Sequence, residues 1–174
     1  GDLVVPGDLF DRTYGRPATF FGPGLVAHVA FAQPLCAGVR RALVGAGGAL
    51  PVDVHGGGVL AVIEGPRFST KGESNMYRSW GISLIGMTAC PEAFLAREAE
   101  LCYSIMAHVT DYDVWHIAEE AVSVDMVMRT LARNTQVAQL ALQKLVEKLP
   151  EDQSCECSHA LASAVITRPE CVPP

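Results

Sequence analysis

An α/β fold is what this sequence predicts, on three observations. Short apolar runs such as GGGVLAVIEG (56–65) and ISLIGMT (82–88) are bounded by glycine or turn residues, as buried strands are. Segments of helical period alternate with those runs. The 174 residues are 49% apolar and 18% charged, a globular composition large enough for one domain with a sizeable core.

Taken in order, LVV at 3–5 reads as a short strand and DRTYGRP at 11–17 as a polar loop. VAHVAF at 26–31 reads as a further extended stretch containing His28. A helical pattern starts at Ala37 and is stopped by Gly47–Gly48, glycine being the usual residue past a helix end. The strand at 56–65 runs into the loop GPRFST, and KGESNMYRSWG begins a short helix. After the strand at 82–88, Pro91 suits a first helical turn and Glu92 complements the helix dipole. CYSIMAHV (102–109) is another apolar strand. Ser123 is placed to cap the last helix, with Asp125 in its first turn. Val124, Val127, Met128, Leu131, Ala138, Leu142, Leu145 and Leu149 form a stripe near period 3.6 that Pro150 ends.

Charge narrows the choice of partner. The net charge of −6, with Arg40–Arg41 the only basic doublet, argues against nucleic acid or an anionic membrane. No run of some eighteen apolar residues is present to span a bilayer. The opening GDLVVPGDLF has neither the basic nor the apolar region of a signal peptide, and it reads as the interior of a longer product.

The six cysteines match no zinc spacing, since the Cys155-x-Cys157 pair lacks a second half, and no metal site is expected. Cys36, Cys90 and Cys102 lie in apolar contexts and read as buried thiols. Cys155, Cys157 and Cys171 lie in the polar tail, where disulfides would fit an oxidising setting or a hyperthermophile.

The chemistry-bearing residues gather at predicted strand ends, where α/β proteins place ligand groups. Asp111 and Asp113 end one strand. On an extended segment residues i and i+2 point to the same side, and two close carboxylates favour keeping one protonated. A carboxylic acid so held can donate a proton to a leaving group, while its partner accepts from an amino group. The plainer alternative is an Asx turn at a strand end, with both acids in water. Phe68 reads as a stacking platform or a core aromatic. Its neighbour Arg67 could clamp an anion or pair with a carboxylate such as Glu64. Met87 gives a soft apolar contact or fills the core. Thr88 offers a hydroxyl at a strand end. His28 reads as a core histidine, and Glu119–Glu120 as a solvated pair.

Taken together these residues carry a resemblance. IEGPRFSTKGESNMYRSWG, ISLIGMT, CPEAFLAREAELCYS and VTDYDVWHIAEEAVSVDMV are similar, in order and spacing, to the methylthioadenosine phosphorylases of the purine nucleoside phosphorylase superfamily. The resemblance runs from Gly1 to about Leu149. Beyond Pro150 it is limited to the C-x-C, which some archaeal members resemble.

The resemblance implies a nucleoside phosphorylase-like fold, with a central mixed β-sheet flanked by helices, and phosphorolysis. Phosphate, a co-substrate rather than a cofactor, attacks C1′ of 5′-methylthioadenosine and releases adenine and 5-methylthioribose 1-phosphate. By resemblance Asp111 protonates the purine at N7 and Asp113 reads the 6-amino group. Phe68 stacks on the base, Met87 lies against the ribose, and Thr88 sits near sugar and phosphate. Val124 and Val127 border the methylthio group, and His28 reaches a neighbouring subunit's site. A cytoplasmic homo-oligomer, trimer or hexamer, is implied.

Two departures from the family pattern matter. Gly86 stands where animal relatives have Asn, removing one polar contact to the base. The family's phosphate loop and Arg–His pair lie upstream of anything in 1–174, so the chain corresponds to the C-terminal part of one nucleoside phosphorylase domain, without its N-terminal phosphate-binding part. A separate chain could supply that part. The alternatives are a broader purine nucleoside phosphorylase acting on adenosine, inosine or guanosine, and a nucleoside-binding fragment without catalysis.

Overall fold

A computed structural model describes residues 1–116, 124–149 and 154–172, leaving aside the side chains at 126 and 127. Six strands and four helices follow one another as β1 (Leu3–Val5), β2 (Asp8–Arg12), α1 (Ala37–Ala46), β3 (Val54–Gly56), β4 (Val59–Ile63), α2 (Lys71–Ser79), β5 (Leu84–Gly86), α3 (Ala89–Glu98), β6 (Ala107–His108) and α4 (Val124–Val146). Short 3-10 turns at Gly47–Ala49, Glu156–His159 and Pro169–Cys171 complete the described elements.

The α/β class is as the sequence predicts, but the sheet is divided. One three-stranded sheet has the order β3-β1-β6, with β1 parallel to β3 and antiparallel to β6. The other, β2-β4-β5, is parallel throughout. The division falls at Pro6–Gly7, opposite Gly57–Gly58. Val5 pairs with Gly56 and Asp8 with Val59, so the register survives the break. Proline removes a ladder donor. Gly57 and Gly58 take φ of 110° and 81°, and a Cβ on Gly58 would lie 2.7 Å from Ser83 Oγ, so only glycine fits that crossing.

Each sheet has its own core. Leu3 and Val5 of β1 pack with Leu43 of α1 and with Val137 and Ala141 of α4. Leu60 and Val62 of β4 pack with Ala89 and Cys90 at the start of α3. Fully burying one such leucine or valine stabilises by about 1.5–3 kcal/mol. Cys90 is wholly buried, and loss of water pushes its thiol up to about 12.

Several elements differ from the sequence reading. Strand β2 is an addition: its DLFDR is charged at both ends and lacks the β-branched run that marks β4. VAHVAF forms no strand beyond a single bridge, Ala27 to Val165. The predicted strand 102–109 shortens to Ala107–His108. Regular helical backbone in α3 begins only after Cys90 (φ −110°, ψ 133°), consistent with Pro91 in its first turn.

Much of the predicted stripe on α4 faces outward. Val124 is 68% exposed, and Met128, Leu131 and Leu142 are exposed too. The helix rests on Val137, Ala141 and Leu145, an apolar row spaced by four that shares Leu145 with the stripe. Two apolar rows make the sequence pattern ambiguous, and contact with α1 and β1 selects the inner one. Helix α4 ends at Val146, before Leu149. Glu119–Glu120, Ser123 and Pro150 lie outside the described residues. No helix among the described residues is long and apolar enough to cross a membrane.

Candidate active site

The parallel strands β2, β4 and β5 end at one edge of their sheet, since Arg12 pairs with Ile63 and Val62 with Gly86. The chain segments that leave that edge carry Glu64–Phe68 and Met87–Thr88. One arginine fastens these ends together. Arg16 donates from Nη1 to the carbonyls of Met87 (2.9 Å) and Cys90 (2.6 Å), and from Nη2 to that of Glu64 (2.8 Å). Its Nε meets Glu64 Oε2 at 3.0 Å. Glu64 therefore pairs with Arg16 and not with Arg67. A planar five-donor guanidinium can serve four acceptors at once, which lysine cannot. Gly65 (φ 70°) permits the tight turn, where a Cβ would stand 2.8 Å from Met87 Sδ.

The loop bearing Phe68 is set by α2. Thr70 Oγ1 accepts from the Glu73 amide at 3.2 Å, and Glu73 Oε2 accepts from the Thr70 amide at 2.7 Å, forming a capping box. Arg67 grips the same carboxylate with two bonds of 2.7 Å. That guanidinium holds the Glu73 carboxyl down to about 2, with the Thr70 amide adding to the effect. Phe68, between these anchors, is 46% exposed, so it is presented at the surface and is not a core aromatic. Next to it a groove of about 330 Å³ is lined by Arg12, Thr13, Tyr14, Glu64, Arg67 and Glu73 among others.

The aspartate segment is held against α2 as well. Ser74 Oγ donates to Asp113 Oδ2 at 2.6 Å. One turn further along, Arg78 lies 3.7 Å from the centroid of the Trp115 ring, a cation–π contact. Ser74 and Arg78 are i and i+4 on one face of α2. Asp111 accepts from Thr110 Oγ1 at 2.6 Å and from the Asp113 amide at 2.9 Å. This is the Asx-type turn, though both acids are only half-exposed. Asp113 has φ 60°, so the segment turns and the same-side geometry of an extended strand does not apply. The two carboxylates are instead oriented separately, one by its own turn and one by Ser74.

Helix α2 thus brings Phe68, Asp111 and Asp113 into one connected set, and Arg16 joins the Met87 end to the Glu64 end. Gly86 ends β5, its α-carbon opening toward Leu60 Cδ1, 3.4 Å from an added Cβ. Thr88 occupies the N-cap of α3 without spending its hydroxyl on a cap bond. His28 lies elsewhere, on the segment whose amide bonds to Ala164 O at 2.8 Å. Val124 is the first residue of α4, and the Val127 side chain lies outside the description. Sequence reasoning missed Arg16, Ser74 and Arg78. The Thr70-x-x-Glu73 capping signature was the one legible sign of how this loop is anchored.

Residues 1–147 match the Phosphorylase superfamily. The chain belongs to that superfamily. Its relatives include the S-methyl-5′-thioadenosine phosphorylase of Koribacter versatilis, 46% identical over 99% of this chain and 59% of the relative. A solved methylthioadenosine phosphorylase sourced from an Antarctic soil metagenomic library superposes with a TM-score of 0.91 at 40% identity, over 99% of this chain and 61% of the other. The Schistosoma mansoni methylthioadenosine phosphorylase, solved in complex with adenine, superposes with a TM-score of 0.86 at 31% identity, over 95% and 66%. The chain spans about three-fifths of the length of the curated relatives it matches.

Proposed function

We propose that residues 1–174 form the base- and methylthio-binding part of a 5′-methylthioadenosine phosphorylase. A phosphate oxygen attacks C1′, the C1′–N9 bond breaks, and its electron pair passes into the purine. Asp111 supplies the proton that N7 takes up, which removes charge from the leaving group. Asp113 accepts from the 6-amino group through Oδ1, since Oδ2 is engaged by Ser74. Phe68 supplies the stacking face. Met87 lies against the ribose, and Thr88, with its hydroxyl uncommitted to a cap, serves sugar and phosphate.

The observation that carries this reading is the fixing of Asp113 to α2 by Ser74, with Asp111 accepting from the Asp113 amide, on the helix that follows the exposed Phe68. It fits the name borne by the curated relatives. Val124 and Val127 border the methylthio group, and His28 serves a neighbouring subunit in a cytoplasmic homo-oligomer. Gly86 offers the base no polar side chain. The chain spans about three-fifths of its curated relatives, and most of the phosphate contacts are assigned to the remainder.

The test is adenine release from methylthioadenosine with and without phosphate, alongside inosine as a competitor substrate and the intact mass of the active material. Phosphate-dependent release that prefers methylthioadenosine is expected. Release without phosphate dependence, or a preference for inosine, sinks the assignment.

A further inference from the structure

Cys36, Cys102, Cys155 and Cys157 come from three distant parts of the chain, yet their sulfurs all lie within 4.8 Å of one another. Cys102 Sγ is 3.2 Å from Cys155 Sγ, and Cys36 Sγ is 3.9 Å from it. Four thiolates around a zinc ion at about 2.3 Å stand about 3.8 Å apart along the edges of a tetrahedron. The C-x-C of the tail therefore does have a second half. It is supplied by Cys36 and Cys102, which no local spacing could reveal.

We propose that these four cysteines bind one zinc ion that clamps the C-terminal tail to the body of the domain. Four sulfur ligands and no oxygen or nitrogen suit a soft, tetrahedral ion. Four protein ligands leave no open position, so the ion is structural and takes no part in the reaction. Each thiol gives up its proton on binding, leaving the centre with two net negative charges. Arg97 Nη1, 3.8 Å from Cys157 Sγ, offsets part of that charge. Cys36 is the N-cap residue of α1 but makes no side-chain cap bond, so its sulfur is not otherwise engaged there.

The clamp has a defined mechanical consequence. Past Cys157 the tail runs back along the segment that carries His28. Leu161 N bonds to Glu100 Oε1 (2.9 Å), Ile166 N to Val26 O (2.8 Å) and Val26 N to Thr167 Oγ1 (2.8 Å). The metal would fix Cys36 at one end of the 26–36 segment while the tail fixes the other. Closing loops this long gives a cross-link a large leverage on the unfolded state.

The full protein, purified without chelator, is expected to contain about one zinc per chain by elemental analysis. A mercurial that titrates the thiols should release that zinc stoichiometrically. Cobalt(II) replacing it should give the intense thiolate-to-metal and visible bands of a tetrahedral sulfur site. Cys155→Ser with Cys157→Ser should abolish the metal and lower Tm, whereas Cys171→Ser, outside the cluster, should retain it. The proposal is overturned if the wild-type protein lacks zinc and takes up no cobalt after reduction. It is equally overturned by stoichiometric iron, by metal retained in the double variant, or by a non-reduced mass showing these cysteines paired as disulfides.

Discussion

Ser74 Oγ donates a 2.6 Å hydrogen bond to Asp113 Oδ2, tying the aspartate segment to the helix that also anchors the Phe68 loop. The residue that receives it has a positive φ, a conformation that aspartate tolerates better than most side chains. Ser74 is fully buried, so its hydroxyl has no solvent to compete for it. Replacing it by alanine removes a hydrogen bond to a charged group, worth about 1.5–3 kcal/mol. Ser74→Ala should therefore lower kcat/KM for methylthioadenosine by about 10- to 100-fold. Ser74→Thr should recover part of the loss. An unchanged kcat/KM for the alanine variant would show that Asp113 needs no such anchor.

Asp111→Asn keeps the shape and the Oδ1 that accepts from the Asp113 amide, puts an NH2 where Oδ2 accepts from Thr110 Oγ1, and removes the acid. Loss of general acid catalysis typically costs about 10²-fold or more. The expected outcome is a fall of that size in kcat with adenine affinity little altered. Single-turnover kinetics and adenine titration measure the two separately, and undiminished turnover would remove Asp111 from proton transfer.

Phe68 is presented by a rigid loop and is half-exposed, so its ring can be removed without opening the core. Base–aromatic stacking is worth about 1–3 kcal/mol. Phe68→Ala should weaken adenine binding by about 5- to 100-fold and phosphate binding far less. Equal weakening of both ligands, read by calorimetry, would count against stacking.

Arg16 serves both strand ends with one guanidinium. Arg16→Lys keeps the charge but cannot reach four acceptors. The loss of even one charged hydrogen bond, about 1.5–3 kcal/mol, corresponds to a drop in Tm of about 3–12 °C for a chain of this size. A thermal melt unchanged by the substitution would assign the fixing of Glu64 and Met87 to other contacts.

The Glu73 carboxyl, held down to about 2 from its ordinary 4.5 by Arg67, links loop order to pH. A depressed acid contributes stability above its unfolded value and loses it as pH falls through the folded one. The contribution should thus be intact above about pH 4.5 and fade toward pH 2. Glu73→Gln should flatten stability against pH in that window. A wild-type acid-denaturation curve that coincides with the variant's would refute the linkage.

Much of the fold was written locally. The glycine-bounded run at β4, the glycine stop after α1 and the capping box at α2 each follow from residues a few positions apart, where propensity and hydrogen-bond chemistry act directly. The residue types at the strand ends, Phe68, Met87–Thr88 and the two aspartates, were legible for the same reason. Their mutual arrangement was not. The partition into two sheets depends on Pro6–Gly7 meeting Gly57–Gly58 across fifty residues of chain. The outward turn of the α4 stripe depends on which of two apolar rows α1 accepts. The Ser74–Asp113 bond and the four-cysteine cluster join residues from |i−j| of 39 up to 119. Contacts of that kind have no local signature. They form because packing the whole chain brings their segments together, and the energy that selects them is shared among many buried side chains. The sequence by itself determined the class of fold and the chemical inventory, while tertiary structure alone decided which of those groups meet.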